Sequence, residues 1–272
     1  MRYYGPSPRW RAIDFREVWL ARELFWTLVV RDIKVRFRQT LVGLAWVVLQ
    51  PVATTAIFLA LFGLLGRQPT GGEVPYALVV LSGLLPWQLF ASVLTNATHS
   101  LVLNQNLIGK VFFPRIILPL TAVGPALVDF AVGCCLLAGL MLYFGVSPTR
   151  SVVLLPVAVL LPLFAAIGVG VWLSALNAIY RDVGYAVPFL LQIGFFVSPV
   201  VYATSALIPE EWRAVFSLNP MVGAIEAFRW AVFGRGEAPF RSALVAVVVI
   251  AAALASGMVY FRRVEGYLAD RI

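Results

Sequence analysis

Runs of about twenty residues with almost no charge recur along this chain, and that repetition constrains its fold more than any single motif. A helix rises about 1.5 Å per residue, so about 20 residues cross a hydrocarbon core of about 30 Å, where each backbone polar group must find a partner inside the protein. Six runs meet this length, at 41–65, 76–97, 116–144, 152–178, 185–202 and 242–261. A soluble domain of 272 residues does not account for them, because 61% of the residues are apolar and only 12% are charged. The expected fold is an all-α polytopic membrane protein with six transmembrane helices. It forms a single membrane domain over 1–272, comprising an N-terminal interface segment (1–40), a six-span region (41–261) and a tail (262–272). Gly, Pro and Ser punctuate short connectors at 66–75 and 145–150, whereas 203–241 is a long, semi-polar insert.

Six spans return both termini to one side, and basic residues choose the side. With the N-terminus inside, 15 of the 21 Lys and Arg residues are cytoplasmic and 6 are external: Arg67, Arg150, Arg213, Arg229, Arg235 and Arg241. Both termini are therefore expected in the cytoplasm. The first 40 residues carry Arg throughout, unlike the short basic start and apolar core of a cleavable leader, so the first span is expected to stay in the mature chain.

The densest charge lies directly against the first span, in R-D-I-K-V-R-F-R-Q-T-L-V-G-L-A-W-V-V-L-Q-P (31–51). Upstream, Phe15, Trp19, Trp26, Val30, Ile33 and Phe37 recur at helical intervals as one stripe, while Arg31, Lys34 and Arg38 gather on another face. Such an amphipathic helix lies on the membrane, rings in the interface and cations toward phosphate headgroups or water. Leu20, Leu24 and Phe25 fall off the stripe. Two uses are open for the cations: a generic cytoplasmic anchor, or the handling of an anionic substrate.

Catalytic chemistry is missing. The one histidine is His99, and neither H-E-x-x-H nor G-x-S-x-G occurs, so no catalytic residue and no metal site is expected. Cys134 and Cys135 are adjacent within an apolar run, a spacing that suits small helix residues better than metal or redox work. Without G-x-x-x-x-G-K-[ST] the chain has no phosphate loop of its own, so any ATP must be bound elsewhere. Asp129 is the sole acid well inside a run, and is expected to face a polar interior or a partner helix.

Four blocks in order resemble the membrane-spanning permease subunits of ABC-2 type exporters, especially those for O-antigen and related bacterial polysaccharides. The stretch 31–51 resembles the family's basic surface helix entering span one. L-S-G-L-L-P-W-Q-L-F-A-S-V-L-T-N-A (81–97) is similar to its second span, and N-Q-N-L-I-G-K-V-F-F-P-R (104–115) to the segment that succeeds that span. N-A-I-Y-R-D-V (177–183) looks like its turn between spans four and five, and L-N-P-M-V-G-A-I-E-A-F-R-W-A-V-F-G (218–234) resembles its external helix before span six.

The resemblance implies a homodimeric channel in a bacterial inner membrane, with two copies of a nucleotide-binding ATPase below it that hold ATP and Mg. The permease itself holds no cofactor, and no nucleic-acid partner is expected. A cytoplasmic coupling helix is implied at roughly 100–114, with Asn104, Gln105, Asn106 and Lys110 facing water and Leu107, Ile108, Val111, Phe112 and Phe113 able to fill an apolar cleft. The cargo implied is a lipid-linked glycan, whose pyrophosphate Arg31, Lys34, Arg36 and Arg38 would attract. Trp46, Trp87, Phe90, Phe195, Phe196 and Tyr202, with Asp129, are candidates for the path, since sugars stack on aromatic faces; interfacial belts and helix packing are the simpler use of those rings. Glu226 and Arg229, at i and i+3, read as a surface pair of small worth. Alternative cargoes are a capsular polysaccharide, a teichoic acid or a small hydrophobic compound. A proton-coupled lipid-glycan flippase and a membrane scaffold are the readings outside this class.

Overall fold

A computed structural model describes residues 19–38, 43–66, 69, 74–111 and 113–271, with the side chains at 37, 38, 43, 44 and 267–271 outside the description. The described residues form helices joined by turns and short irregular stretches, with no strand among them. In chain order the helices are α1 (Arg22–Arg38), α2 (Gly43–Leu64), α3 (Tyr76–Leu103), α4 (Gln105–Ile108), α5 (Ile117–Thr121) and α6 (Val123–Tyr143). A 3-10 turn (Arg150–Leu154) then leads into α7 (Leu155–Ile179), succeeded by α8 (Asp182–Val197), α9 (Thr204–Leu207), α10 (Glu210–Phe216), α11 (Pro220–Phe233) and α12 (Phe240–Arg271).

Five helical stretches are long and apolar enough to cross a membrane: Ala45–Leu64, Tyr76–Leu103, Ile117–Tyr143, Arg150–Ile179 and Phe240–Gly266. The fifth apolar run differs from its expected form. Its helix, α8, has 16 residues and stops at Val197, and 198–202 leaves the helix as a buried, irregular segment. Pro199 explains the break, since proline has no N–H and forces its predecessor out of the helical region; Ser198 is extended at φ −99°, ψ 150°. At the other end of the chain, α12 runs 32 residues, so the expected tail continues the last span as helix.

Helix α3 is the hub, buried on nearly every side and packed by α7, α6, α11, α2 and α8. Helices α2 and α8 are peripheral and turn large apolar side chains outward, among them Trp46, Ile57, Tyr185, Phe189 and Phe196. Helix α1 lies across α5 and α6. Of its expected stripe, Trp19, Trp26 and Val30 are exposed and Ile33 is half-buried, while Phe15 and the Phe37 side chain lie outside the described residues; Leu28 is buried in a cluster with Leu101, Phe113, Ile117 and Phe261. Leu24 and Phe25, off the stripe, pack on that same cluster. The helix has two apolar faces because one meets protein and the other is left for lipid, which a single-stripe reading cannot express.

Candidate functional site

Helix α3 continues six residues beyond its expected end at 97, to Leu103, and carries the candidate coupling segment directly on its tip. The segment itself has only four helical residues, Gln105–Ile108. Gln105, Asn106, Lys110 and Val111 are exposed, while Leu107 and Ile108 turn inward. Phe113 corrects the sequence reading: it is 8% exposed and packed among Leu28, Leu101 and Ile117, so it holds the segment in place and offers no ring outward. Phe112 lies outside the described residues.

Polar contacts clamp the segment on both flanks. At its start, Asn104 Oδ1 accepts a hydrogen bond from Arg31 Nη2 of α1 at 2.9 Å, and its amide donates to the Ser100 carbonyl at 2.8 Å. At its end, Arg115 Nη1 donates to the Glu265 carbonyl at 2.7 Å and the Arg115 N–H donates to the Glu265 carboxylate at 3.2 Å. Arg262 holds that carboxylate at 3.2 Å from within α12. The segment is thereby tied to both α1 and α12.

The cationic cluster is partly committed to these contacts. Arg31 also pairs with Asp32 at 2.8 Å, and Asp32 accepts from the Thr121 hydroxyl at 3.3 Å. Arg36 pairs with Asp129, so this carboxylate on α6 faces the surface helix. Lys34 is exposed, and the Arg38 side chain lies outside the described residues.

Four of the aromatic candidates form one cluster with Phe58. Phe58 and Phe195 lie 6.0 Å apart, Trp87 lies 6.1 Å from Phe195 and 5.5 Å from Phe90, and Phe196 lies 5.3 Å from Phe195. Trp87 is buried and Phe196 is exposed, so the cluster runs from the hub helix to the outer face of α8. Tyr202 is buried, its hydroxyl donating to the Phe196 carbonyl at 3.2 Å, whereas Trp46 stands apart and exposed on α2.

Two polar residues carry more than the sequence reading gave them. Arg229 does not form the expected surface pair with Glu226, which accepts instead from the Ser242 hydroxyl at 2.6 Å. The Arg229 guanidinium is buried and donates to three carbonyls, Val200 at 2.7 Å, Tyr202 at 2.8 Å and Val79 at 2.9 Å, tying α11 to the irregular segment and to the start of α3. Gly83 makes room for this knot: a Cβ there would sit 2.1 Å from the Val200 carbonyl oxygen. Burial pushes the Arg229 pKa down to about 10, opposed by Glu226, Tyr202 and Tyr76, so the side chain stays charged at neutral pH. The signal in the sequence was Pro199, which ends α8 and leaves the Val200 and Tyr202 carbonyls in need of a donor.

Asn177, the first residue of the N-A-I-Y-R-D-V block, is the other. It is 3% exposed near the end of α7, and its amide bridges two backbones: Nδ2 donates to the Thr98 carbonyl of α3 at 3.0 Å, and Oδ1 accepts from the Gly184 N–H of α8 at 2.8 Å. An Asn closing an otherwise apolar run was the available signal, since a buried amide requires partners.

Comparison with known proteins places this architecture. The ABC-2 type transporter family profile matches residues 23–233. The O-antigen export system permease protein RfbA of Myxococcus xanthus is 31% identical over 92% of this chain and 96% of its own length. A protein of the same name from Klebsiella pneumoniae is 31% identical over 76% of this chain and 80% of its own. The polysialic acid transport protein KpsM of Escherichia coli is 25% identical over 75% of this chain and 79% of its own. A multi-pass helical bundle carrying these blocks in order belongs to the ABC-2 type transporter family.

Proposed function

We propose that this chain is the transmembrane subunit of an ATP-driven exporter that moves a lipid-linked, O-antigen-like polysaccharide from the cytoplasmic to the external face of a bacterial inner membrane. Two copies form the path. Helix α8 supplies the sixth crossing, both termini are cytoplasmic, and the outward faces of α2 and α8 border the route with the ring cluster at its edge. Two ATPase subunits, which bind the ATP and Mg, dock on the tip of α3 through Gln105, Asn106 and Lys110. The cationic cluster of Arg31, Lys34, Arg36 and Arg38 attracts the pyrophosphate of the lipid carrier. The observation that carries this reading is the similarity over 92% of the chain to a protein named as an O-antigen export permease. The clamped, water-facing turn at 105–108 supports it, because a short rigid projection suits the transfer of force from a partner.

Purification with the ATPase encoded beside this chain tests the proposal. The pair is expected to co-purify and to hydrolyse ATP, and cells lacking the permease are expected to accumulate glycolipid on the inner side. Transport driven by a proton gradient without that ATPase would refute it. The 25% match to a polysialic acid transport protein favours an acidic capsular glycan as the second reading, and mass spectrometry of the accumulated glycolipid separates the two cargoes.

The topology has its own test. Cysteine placed at Arg213 is expected to react with an impermeant thiol reagent applied to the external face, and cysteine at Lys110 to react only after the membrane is opened. The opposite labelling pattern would invert the orientation derived from the 15 against 6 count.

A further inference from the structure

Helix α8 is loosely attached for an element that borders a path. Only Gly184 and Val187 are buried along it, and its other contacts gather toward its far end, where Leu191 meets the core, Gly194 and Phe195 pack on Trp87, and Phe195 meets Phe58. At its start sits the Asn177 bridge. One carboxamide, projecting from α7, holds the Thr98 carbonyl with its N–H and the Gly184 N–H with its oxygen. Thr98 belongs to the same continuous helix whose tip carries the coupling segment, six residues before Asn104. The N–H of Gly184 lies in the first turn of α8 and donates to two acceptors, the Asn177 oxygen at 2.8 Å and the Arg181 carbonyl at 3.2 Å, so the side chain of α7 is the shorter of its two contacts.

The fit is close. A Cβ at Gly184 would lie 2.6 Å from His99 Cε1 and 2.8 Å from Asn177 Oδ1, so the start of α8 rests directly on the ring beside Thr98. Displacement of the α3 tip carries the Thr98 carbonyl and the His99 ring with it, and both bear on Gly184.

We propose that Asn177 is a positioning residue that relays movement of the coupling segment to α8, so that ATPase action below the membrane opens the outer border of the path. This inference rests on the exporter reading above. The relay needs a donor toward α3 and an acceptor toward α8 in one side chain, which an amide supplies and an ionised carboxylate does not.

The experiment uses the permease in nanodiscs with its ATPase and compares hydrogen exchange before and after trapping with Mg-ATP and vanadate. In the wild type, exchange is expected to change both at 100–111 and at 182–197. In Asn177→Ala the change at 100–111 is expected to persist while that at 182–197 disappears, with ATP turnover retained and surface glycan reduced about tenfold. Gly184→Ala, which crowds the joint without removing a polar group, is expected to give the same separation. Asn177→Asp adds a signature that a structural role would not produce. Ionised, it faces the Thr98 carbonyl with a lone pair; protonated, it regains the donor. Its response at 182–197 is therefore expected to recover as pH falls from 8.5 to 5.5, corrected for wild type measured over the same range, because His99 against the joint and Arg181 and Asp182 at the start of α8 remain in both.

Equal responses at 182–197 in wild type and Asn177→Ala would overturn the relay. So would loss of assembly and ATP turnover in parallel with export, or an Asn177→Asp response that ignores pH. A wild-type complex that responds at neither segment to Mg-ATP and vanadate refutes the exporter reading itself and the relay with it; a complex with both responses but no glycan export refutes the cargo alone.

Discussion

Arg229→Ala is expected to be the most damaging single substitution in the chain outside its spans. It removes one charged donor from three carbonyls at once; that of Val79 keeps the Ser82 hydroxyl at 3.0 Å, whereas those of Val200 and Tyr202 lie among buried residues and are left without it. Each of these two orphaned carbonyls costs about 1–3 kcal/mol, and water entering the void recovers part of this, so the expected loss is about 2–4 kcal/mol. Against a typical total of about 5–15 kcal/mol, that loss is a large share of the stability. Thermal unfolding of the detergent-solubilised protein, monitored by size-exclusion chromatography, gives the measurement. Arg229→Lys is expected to fall between, since an ammonium retains the charge and lacks the planar fork that reaches carbonyls on two separate segments. A midpoint for Arg229→Ala within a degree or two of wild type would mean that the irregular segment is held by its apolar contacts alone.

The second large effect concerns Arg36 and Asp129, and it appears in the double substitution. Asp129 is the less exposed partner, its side chain 19% accessible against 39% for Arg36. Arg36→Gln is therefore expected to cost more than Asp129→Asn, each within about 1–3 kcal/mol, because a carboxylate stranded in the bundle wall is harder to solvate than a guanidinium at its edge. Arg36→Gln with Asp129→Asn is expected to recover at least half of the larger loss, giving a coupling of about 1–2 kcal/mol in the cycle. Export measured on Asp129→Asn, which leaves Arg36 in place, decides what the carboxylate is for. If it only anchors α1 to α6, export is expected to be nearly retained in this variant. Export abolished in a stable, assembled Asp129→Asn variant would make Asp129 a participant in transport and revive proton coupling.

The sequence made the bundle legible because the bilayer imposes one length and one composition on whatever crosses it. The break at Pro199 was legible in principle, yet the apolar residues on both sides of it read as one run, and only the structure shows Val200 and Val201 folding back into the core. Arg229 was misread for a different reason. Its neighbour Glu226 stands at a spacing that favours a local pair, whereas its actual partners lie 27, 29 and 150 residues away and are backbone atoms, which leave no mark on the sequence. The coupling segment shows the same limit on a smaller scale. Phe113 faces inward because α1 and α12 supply the pocket, and neither packing partner is adjacent in the chain.

The 16 residues of α8 span only about 24 Å, against a hydrocarbon thickness of about 30 Å. In the proposed topology the lipid beside it meets a wall about 6 Å too short, while α7 and α12, at 25 and 32 residues, are long enough for the full depth. In that topology the bilayer is expected to thin at that flank. A headgroup crossing there would have a shorter apolar distance to travel, and Pro199 ends the helix that sets it.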